Sequence, residues 1–342
     1  MTTFWSTMDS TRIRRCGRRG CQGRTCCGTP ADGITCGGKR GLEPSHLSCP
    51  GRTGHGRSGG PTGGCSSCWC GFWDSRIPEV AMPEQPVGED SIFYAVHTDV
   101  HARHTLLLIH GAGESHLVWP GALRNLPGAT VYALDLPGHG RSRGRGRSSI
   151  ADYTRVVVEW MAALGLPPAI WVGHSMGGAI AQWAALHHPE RVAGLILIAT
   201  GARLRVSPQI LEGLRSDFHR TVELITEWSW GVDPPVRLVE EGRRMLLSAD
   251  PRVMEGDYRA CDAFDVMSRL GEIRTPTLVI GGTADRMTPI KYAEYLAAHI
   301  PGARLVRIEG AGHMVMLEQP EAVAEAIRSF LTEIASRTGP DA

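Results

Sequence analysis

The run Ile170-Trp171-Val172-Gly173-His174-Ser175-Met176-Gly177-Gly178 passes from apolar residues into a G-x-S-x-G turn and from there into a helix starting near Met176. Short apolar runs of this kind fit buried strands. A turn that reverses so sharply needs small neighbours on both sides of the serine, which accounts for Gly173 and Gly177, while Gly178 permits close helix packing. The geometry lifts the Ser175 hydroxyl clear of the strand and sets it at a helix N-terminus, where backbone N–H groups favour developing negative charge. The plainer alternative is a glycine-rich strand-to-helix turn whose serine is incidental.

Further strand-like runs lie on either side, at Ser91–His97, Thr105–His110, Thr130–Leu136, Val192–Thr200, Pro276–Gly282 and Ala303–Glu309. Leu106-Leu107-Leu108-Ile109 and Leu195-Ile196-Leu197-Ile198 do not alternate apolar with polar, as expected of strands covered by helices on both faces. Helical periodicity is clearest near the end, where Val323, Ile327, Phe330, Leu331 and Ile334 recur at three- and four-residue spacing. The alternation predicts a doubly wound α/β fold with a mostly parallel central sheet. From about Arg203 to Leu270 no strand-like run occurs, and Ser207-Pro208, Asp233-Pro234-Pro235 and Asp250-Pro251 each read as a helix start. A helical insertion is therefore expected over the carboxyl edge of the sheet, where folds of this class bind ligands.

The candidate chemistry lies in loops at that edge. His110-Gly111-Ala112-Gly113 follows a strand, and the backbone N–H groups of Ala112 and Met176 are the expected oxyanion-hole donors. A phosphate loop is the alternative, but neither G-x-x-x-x-G-K-[ST] nor G-x-G-x-x-G follows the strand. A serine hydroxyl is a weak nucleophile until a positioned base takes its proton. Asp285 follows the strand that starts at Pro276, and His313 follows the one that starts at Ala303, giving the chain order Ser175, Asp285, His313. His139 and His174 adjoin their own turns too rigidly to serve as that base, and Asp262 and Asp265 are expected to face solvent or an arginine.

On these four motifs, residues from about 85 to 336 resemble the α/β-hydrolase superfamily, most closely its lipase, esterase and monoglyceride-hydrolase members. Asp135-Leu136-Pro137-Gly138-His139-Gly140-Arg141-Ser142 also matches a loop of that family, a structural one. The resemblance implies a hydrolase core over 83–202 and 271–342, with a helical cap over 203–270 inserted after the sixth strand. Dehalogenases and epoxide hydrolases of this fold carry aspartate at the elbow, so serine points to acyl chemistry. The expected enzyme is a carboxylic ester hydrolase that works through an acyl-enzyme and needs no cofactor and no metal. C–C bond or amide hydrolysis, cofactor-free perhydrolysis and acyl transfer use the same triad, and a ligand-binding sensor that retains the fold is the non-enzymatic alternative. Trp228, Trp230 and Phe264 are the candidate substrate-binding residues, with Met245, Met254 and Met267 nearby in sequence; packing of the insertion on the sheet would account for them equally well. The expected substrate is a small ester with an apolar acyl part.

Composition removes other classes. The 342 residues carry 36 basic and 35 acidic side chains, and a net charge of +1 provides no global field for nucleic acid or an anionic membrane. The longest apolar stretch, Val192 to Ala199, is far short of the roughly 20 residues a spanning helix requires, so stable membrane insertion is not expected. Residues 1–82 stand apart, with nine of the ten cysteines lying in the first 80 positions. They are read as a disordered Gly/Arg/Cys-rich extension, resembling a GC-rich stretch translated out of frame ahead of a start at Met82. Cys65-Ser66-Ser67-Cys68 has metal-pair spacing but no second pair to complete a zinc site. Cys261, the remaining cysteine, fits a reducing, cytoplasmic compartment.

Overall fold

The computed structural model describes residues 83–337, so the expectations for residues 1–82 concern positions outside that range. Eight strands, β1 (Glu84–Val87), β2 (Asp90–Thr98), β3 (His104–Ile109), β4 (Ala129–Leu134), β5 (Ala169–His174), β6 (Val192–Ile198), β7 (Thr277–Gly282) and β8 (Arg304–Ile308), form one sheet in the order β1-β2-β4-β3-β5-β6-β7-β8. The β1–β2 and β2–β4 pairs are antiparallel and the other five are parallel. Seven strands match the apolar runs. The additional strand, β1, is four residues long, lies at the sheet edge and contains Pro86, which cannot donate to a ladder and masks a strand in sequence.

The unbroken apolar strands are buried on both faces because the sheet is a middle layer. Leu107, Trp171, Leu195 and Val279 point into one core, packed against α2 (Ile150–Ala163), α3 (Met176–His187) and α8 (Lys291–His299). Leu106, Ile170, Ile196 and Leu278 point into the other, with α1 (Gly121–Arg124), α9 (Val315–Glu318) and α10 (Pro320–Arg337). Side chains therefore alternate between two cores, as the period of two in a strand dictates.

Between β6 and β7 the chain forms α4 (Pro208–Ser216), α5 (Phe218–Ser229), α6 (Val236–Leu247) and α7 (Pro251–Ala263), with no strand among these residues. Ile210, Leu214, Val222, Ile225, Leu246, Met254 and Tyr258 make a third apolar cluster there. The Pro-led starts appear at Pro208 and Pro251, and Asp250 caps α7 by accepting from Arg252 N–H at 2.8 Å. The start of α5 lacks proline; Asp217 caps it, accepting from Arg220 N–H.

Strand order reverses at β3, whose parallel neighbours are β4 and β5. The loops leaving β3 and β5 consequently lie side by side at the carboxyl edge, where a crevice opens. The loop after β4 is braced from within: buried Asp135 accepts from the N–H groups of His116 and Arg141 at 2.6 and 2.8 Å.

Candidate active site

Ser175 stands between the last residue of β5 and the first of α3, with φ 50° and ψ −113°. Positive φ is costly for a residue with a side chain and persists only where the surroundings enforce it. Here they do. Ser175 N–H donates to the Ile198 carbonyl at 3.0 Å, and the Thr200 hydroxyl donates to the Ser175 carbonyl at 2.7 Å. A Cβ on Gly173 would lie 2.2 Å from the Gly177 oxygen, and one on Gly177 would lie 2.0 Å from the Ile109 oxygen. The turn closes on itself and against β3 so tightly that only glycine fits at either position.

Asp285 and His313, in the loops after β7 and β8, meet across those loops. His313 Nδ1 donates to Asp285 Oδ2 at 2.9 Å, and both residues are 5% exposed, which keeps water from competing for the bond. Asp285 Oδ1 accepts from the N–H groups of Met287 and Thr288, each at 2.8 Å, and the Thr288 hydroxyl donates to Oδ2 at 2.8 Å. Burial alone would raise the Asp285 pKa, but the adjacent His313 and these donors bring it below the usual carboxylate range. Burial alone would lower that of His313, and the Asp285 charge more than offsets this, so it lies above the ordinary histidine value. The His313 loop is tethered by Glu318, which accepts from Gly312 N–H at 3.0 Å and from Gly231 N–H at 2.9 Å.

The loop after β3 is held by a network the sequence does not announce. Leu136 N–H donates to His110 Nε2 at 3.0 Å, so His110 carries its proton on Nδ1, which donates to the Gly111 carbonyl at 2.8 Å. Burial pushes the His110 pKa down to about 4, consistent with this neutral form. Gly111 N–H donates to Glu114 Oε2 at 2.7 Å, and Gly113 N–H to Asp257 Oδ2 at 2.9 Å. Between these two anchored glycines, Ala112 N–H makes no hydrogen bond among the described residues, and neither does Met176 N–H. His174 does not face the serine's chemistry. It donates from Nδ1 to Glu114 and from Nε2 to the His313 carbonyl, each at 3.0 Å, bracing one loop against another.

Ser175, His313 and Ala112 line one cavity of about 230 Å³. Trp228, Trp230, Met245, Leu246, Ile210 and Ile225 supply much of its apolar wall, and Arg205 and Arg286 are also among its lining residues. Phe264 is a correction: it does not line the cavity but is 3% exposed in the core cluster beside Ala260, Cys261 and Val266, so it packs the insertion onto the sheet. Met254 and Met267 likewise pack and do not line the cavity. Asp265 pairs with Arg203 at 2.7 Å, and Asp262 accepts from Val206 N–H. Ser175 Oγ has no hydrogen bond among the described residues, so a link from it to His313 belongs to function and not to the observed contacts.

Residues 106–326 match the sequence model of the alpha/beta hydrolase family. The chain is 31% identical to a pimeloyl-[acyl-carrier protein] methyl ester esterase of Serratia marcescens over 241 residues, 66% of this chain and 93% of that protein. Among solved structures, a thermophilic esterase is similar at a TM-score of 0.65 and 34% identity, over 74% of this chain and 97% of that one. The enol-lactonase of Burkholderia xenovorans LB400 is similar at a TM-score of 0.67 and 25% identity, over 73% and 100%.

Proposed function

From its place in the alpha/beta hydrolase family, to which the chain belongs, we propose that this protein cleaves carboxylic esters through an acyl-enzyme formed on Ser175. The observation that carries the reading is the buried His313–Asp285 hydrogen bond opening onto the same cavity as a serine held at positive φ. With its proton on Nδ1, His313 presents an unprotonated Nε2 as general base. Ser175 Oγ attacks the ester carbonyl as its proton passes to Nε2, and the tetrahedral oxygen is received by the N–H groups of Ala112 and Met176. Collapse breaks the bond to the alcohol oxygen, which takes the proton from His313. A water then attacks the acyl-enzyme by the same route and releases the acid and free serine. Asp285 fixes the tautomer and stabilises the imidazolium as it forms.

The apolar wall favours an ester with a short apolar acyl part, Trp228 and Trp230 being the substrate-facing aromatics and α4–α7 forming a cap over the site. The curated relative acts on a methyl ester and the solved neighbour on an enol-lactone by their names, both acyl–oxygen bonds. Among the described residues no helix is long and apolar enough to cross a membrane, and the buried, unpaired Cys261 accords with a reducing cytoplasm. A p-nitrophenyl ester series from acetate to octanoate, run on wild type and Ser175→Ala, tests the proposal. Turnover of the short esters that disappears in Ser175→Ala supports it; turnover that survives the substitution contradicts it.

A further inference from the structure

Asp257, on α7, is fully buried, and its carboxylate gathers three donors from three parts of the core. Gly113 N–H, in the loop after β3, donates to Oδ2 at 2.9 Å. His139, in the loop after β4, donates from Nε2 to Oδ2 at 2.7 Å, and the Tyr153 hydroxyl, on α2, donates to Oδ1 at 2.6 Å. His139 Nδ1 lies 3.1 Å from the Pro137 carbonyl. Both ring nitrogens of His139 are thereby within hydrogen-bond reach of an oxygen acceptor. Burial opposes a charge on the ring, and Asp257 beside it raises the His139 pKa in spite of burial.

If α7 needed only to be docked, an apolar contact would do so without burying the polar side chains of Asp257 and His139. Two contacts fall on a single glycine instead. Met254, one turn earlier on α7, packs so closely that a Cβ on Gly113 would lie 2.3 Å from its Cε, while Asp257 takes the Gly113 N–H. Gly113 has φ +69° and follows Ala112, which packs against the same cluster of insertion side chains. The helix therefore grips the peptide next to the N–H assigned to the oxyanion.

We propose that Asp257 is a positioning residue for the oxyanion loop, acting from the insertion by fixing the Ala112–Gly113 peptide and hence the direction of the Ala112 N–H. The inference rests on the function proposed above. Asp257 lines no part of the cavity and acts only through Gly113.

Steady-state kinetics on a short p-nitrophenyl ester, with thermal unfolding in parallel, test it. Removal of a single oxyanion donor costs ~10²–10³ in turnover, so Asp257→Ala is expected to lose about 10²-fold in kcat with KM changed less than about threefold, because the contact matters only in the transition state. Asp257→Asn retains an acceptor for Gly113 N–H and falls between wild type and alanine. Tyr153→Phe takes a different donor from the same carboxylate without touching Gly113; it lowers Tm and keeps kcat within about threefold of wild type. A wild-type kcat in Asp257→Ala, or a loss in Tyr153→Phe as large as in Asp257→Ala, overturns the proposal. Should Asp257→Ala not fold, the Asn and Phe variants decide between the same two outcomes. Activity surviving in Ser175→Ala would remove the proposed acyl-enzyme on Ser175 itself, whereas an inactive Ser175→Ala beside undiminished Asp257 variants would remove only this inference.

Discussion

Replacing Gly177 by alanine adds one methyl group where none can be placed. Its Cβ would stand 2.0 Å from the Ile109 oxygen, 2.7 Å from the Ile109 carbonyl carbon and 2.8 Å from the His110 oxygen, all backbone atoms of the strand end and loop that lead to Ala112. Side chains can rotate away from a clash; a β-strand carbonyl cannot. Relief to the 3.0 Å below which real Cβ atoms essentially never approach requires α3 and β3 to part by about 1 Å. Overpacking of this kind costs about 1–3 kcal/mol, at about 2–4 °C per kcal/mol for a domain of this size, so Tm should fall by up to roughly 12 °C. The same displacement separates the N–H groups of Met176 and Ala112, and a misplacement of about 1 Å costs on the order of 10²-fold in rate. The assay is kcat on a short p-nitrophenyl ester with Tm by calorimetry. Gly271→Ala serves as control, since nothing lies within 4 Å of its added Cβ, and it should stay within about 2 °C of wild type. A Gly177→Ala protein with wild-type Tm and kcat would refute the steric account of the elbow.

Other outcomes follow from the same contacts. Because Asp285 holds the His313 pKa above the ordinary value of about 6.5, ester turnover should fall as pH drops through a midpoint above that value; an NMR titration of the His313 ring should show the midpoint moving down in Asp285→Asn. The sign for stability is opposite: a histidine whose folded pKa is raised contributes stability that is complete below the unfolded pKa and is lost as pH rises through the folded one. Stability from Asp285, whose pKa is depressed, is present above the unfolded value and lost on acidification. Wild type minus Asp285→Asn denaturation curves across pH should show both limbs. Glu318→Ala strips the acceptor from Gly231 and Gly312 N–H and should cost about 1–3 kcal/mol by urea unfolding. Trp228→Ala strips part of the apolar cavity wall and should reduce the gain in kcat/KM per added methylene among the short esters by up to about 0.8 kcal/mol, or about fourfold, read as ratios across the series.

What the sequence disclosed was local chemistry at strand ends. The glycines around Ser175 are visible because backbone sterics act over a few residues, and Asp285 and His313 stand out because each directly follows an apolar run. Asp257 was hidden for the opposite reason. It lies in Met254-Glu255-Gly256-Asp257-Tyr258-Arg259, which reads as a charged helix, and its donors are 144, 118 and 104 residues distant in the chain. The Glu114–His174 brace spans 60 residues and was equally silent. Phe264 illustrates the limit for apolar residues: hydrophobicity says that a side chain is covered, and only the packing says whether core or substrate covers it. The edge strand β1 leaves no signal in the sequence because four residues with an internal proline carry too little periodicity.

The identity of the nucleophile is tested most directly by incubating the protein with a fluorophosphonate and mapping the adduct by peptide mass spectrometry. One phosphonylated site, Ser175, is expected, with labelling lost in Ser175→Ala and strongly slowed in His313→Ala. An adduct on another residue, or labelling of Ser175→Ala at the wild-type rate, would contradict it.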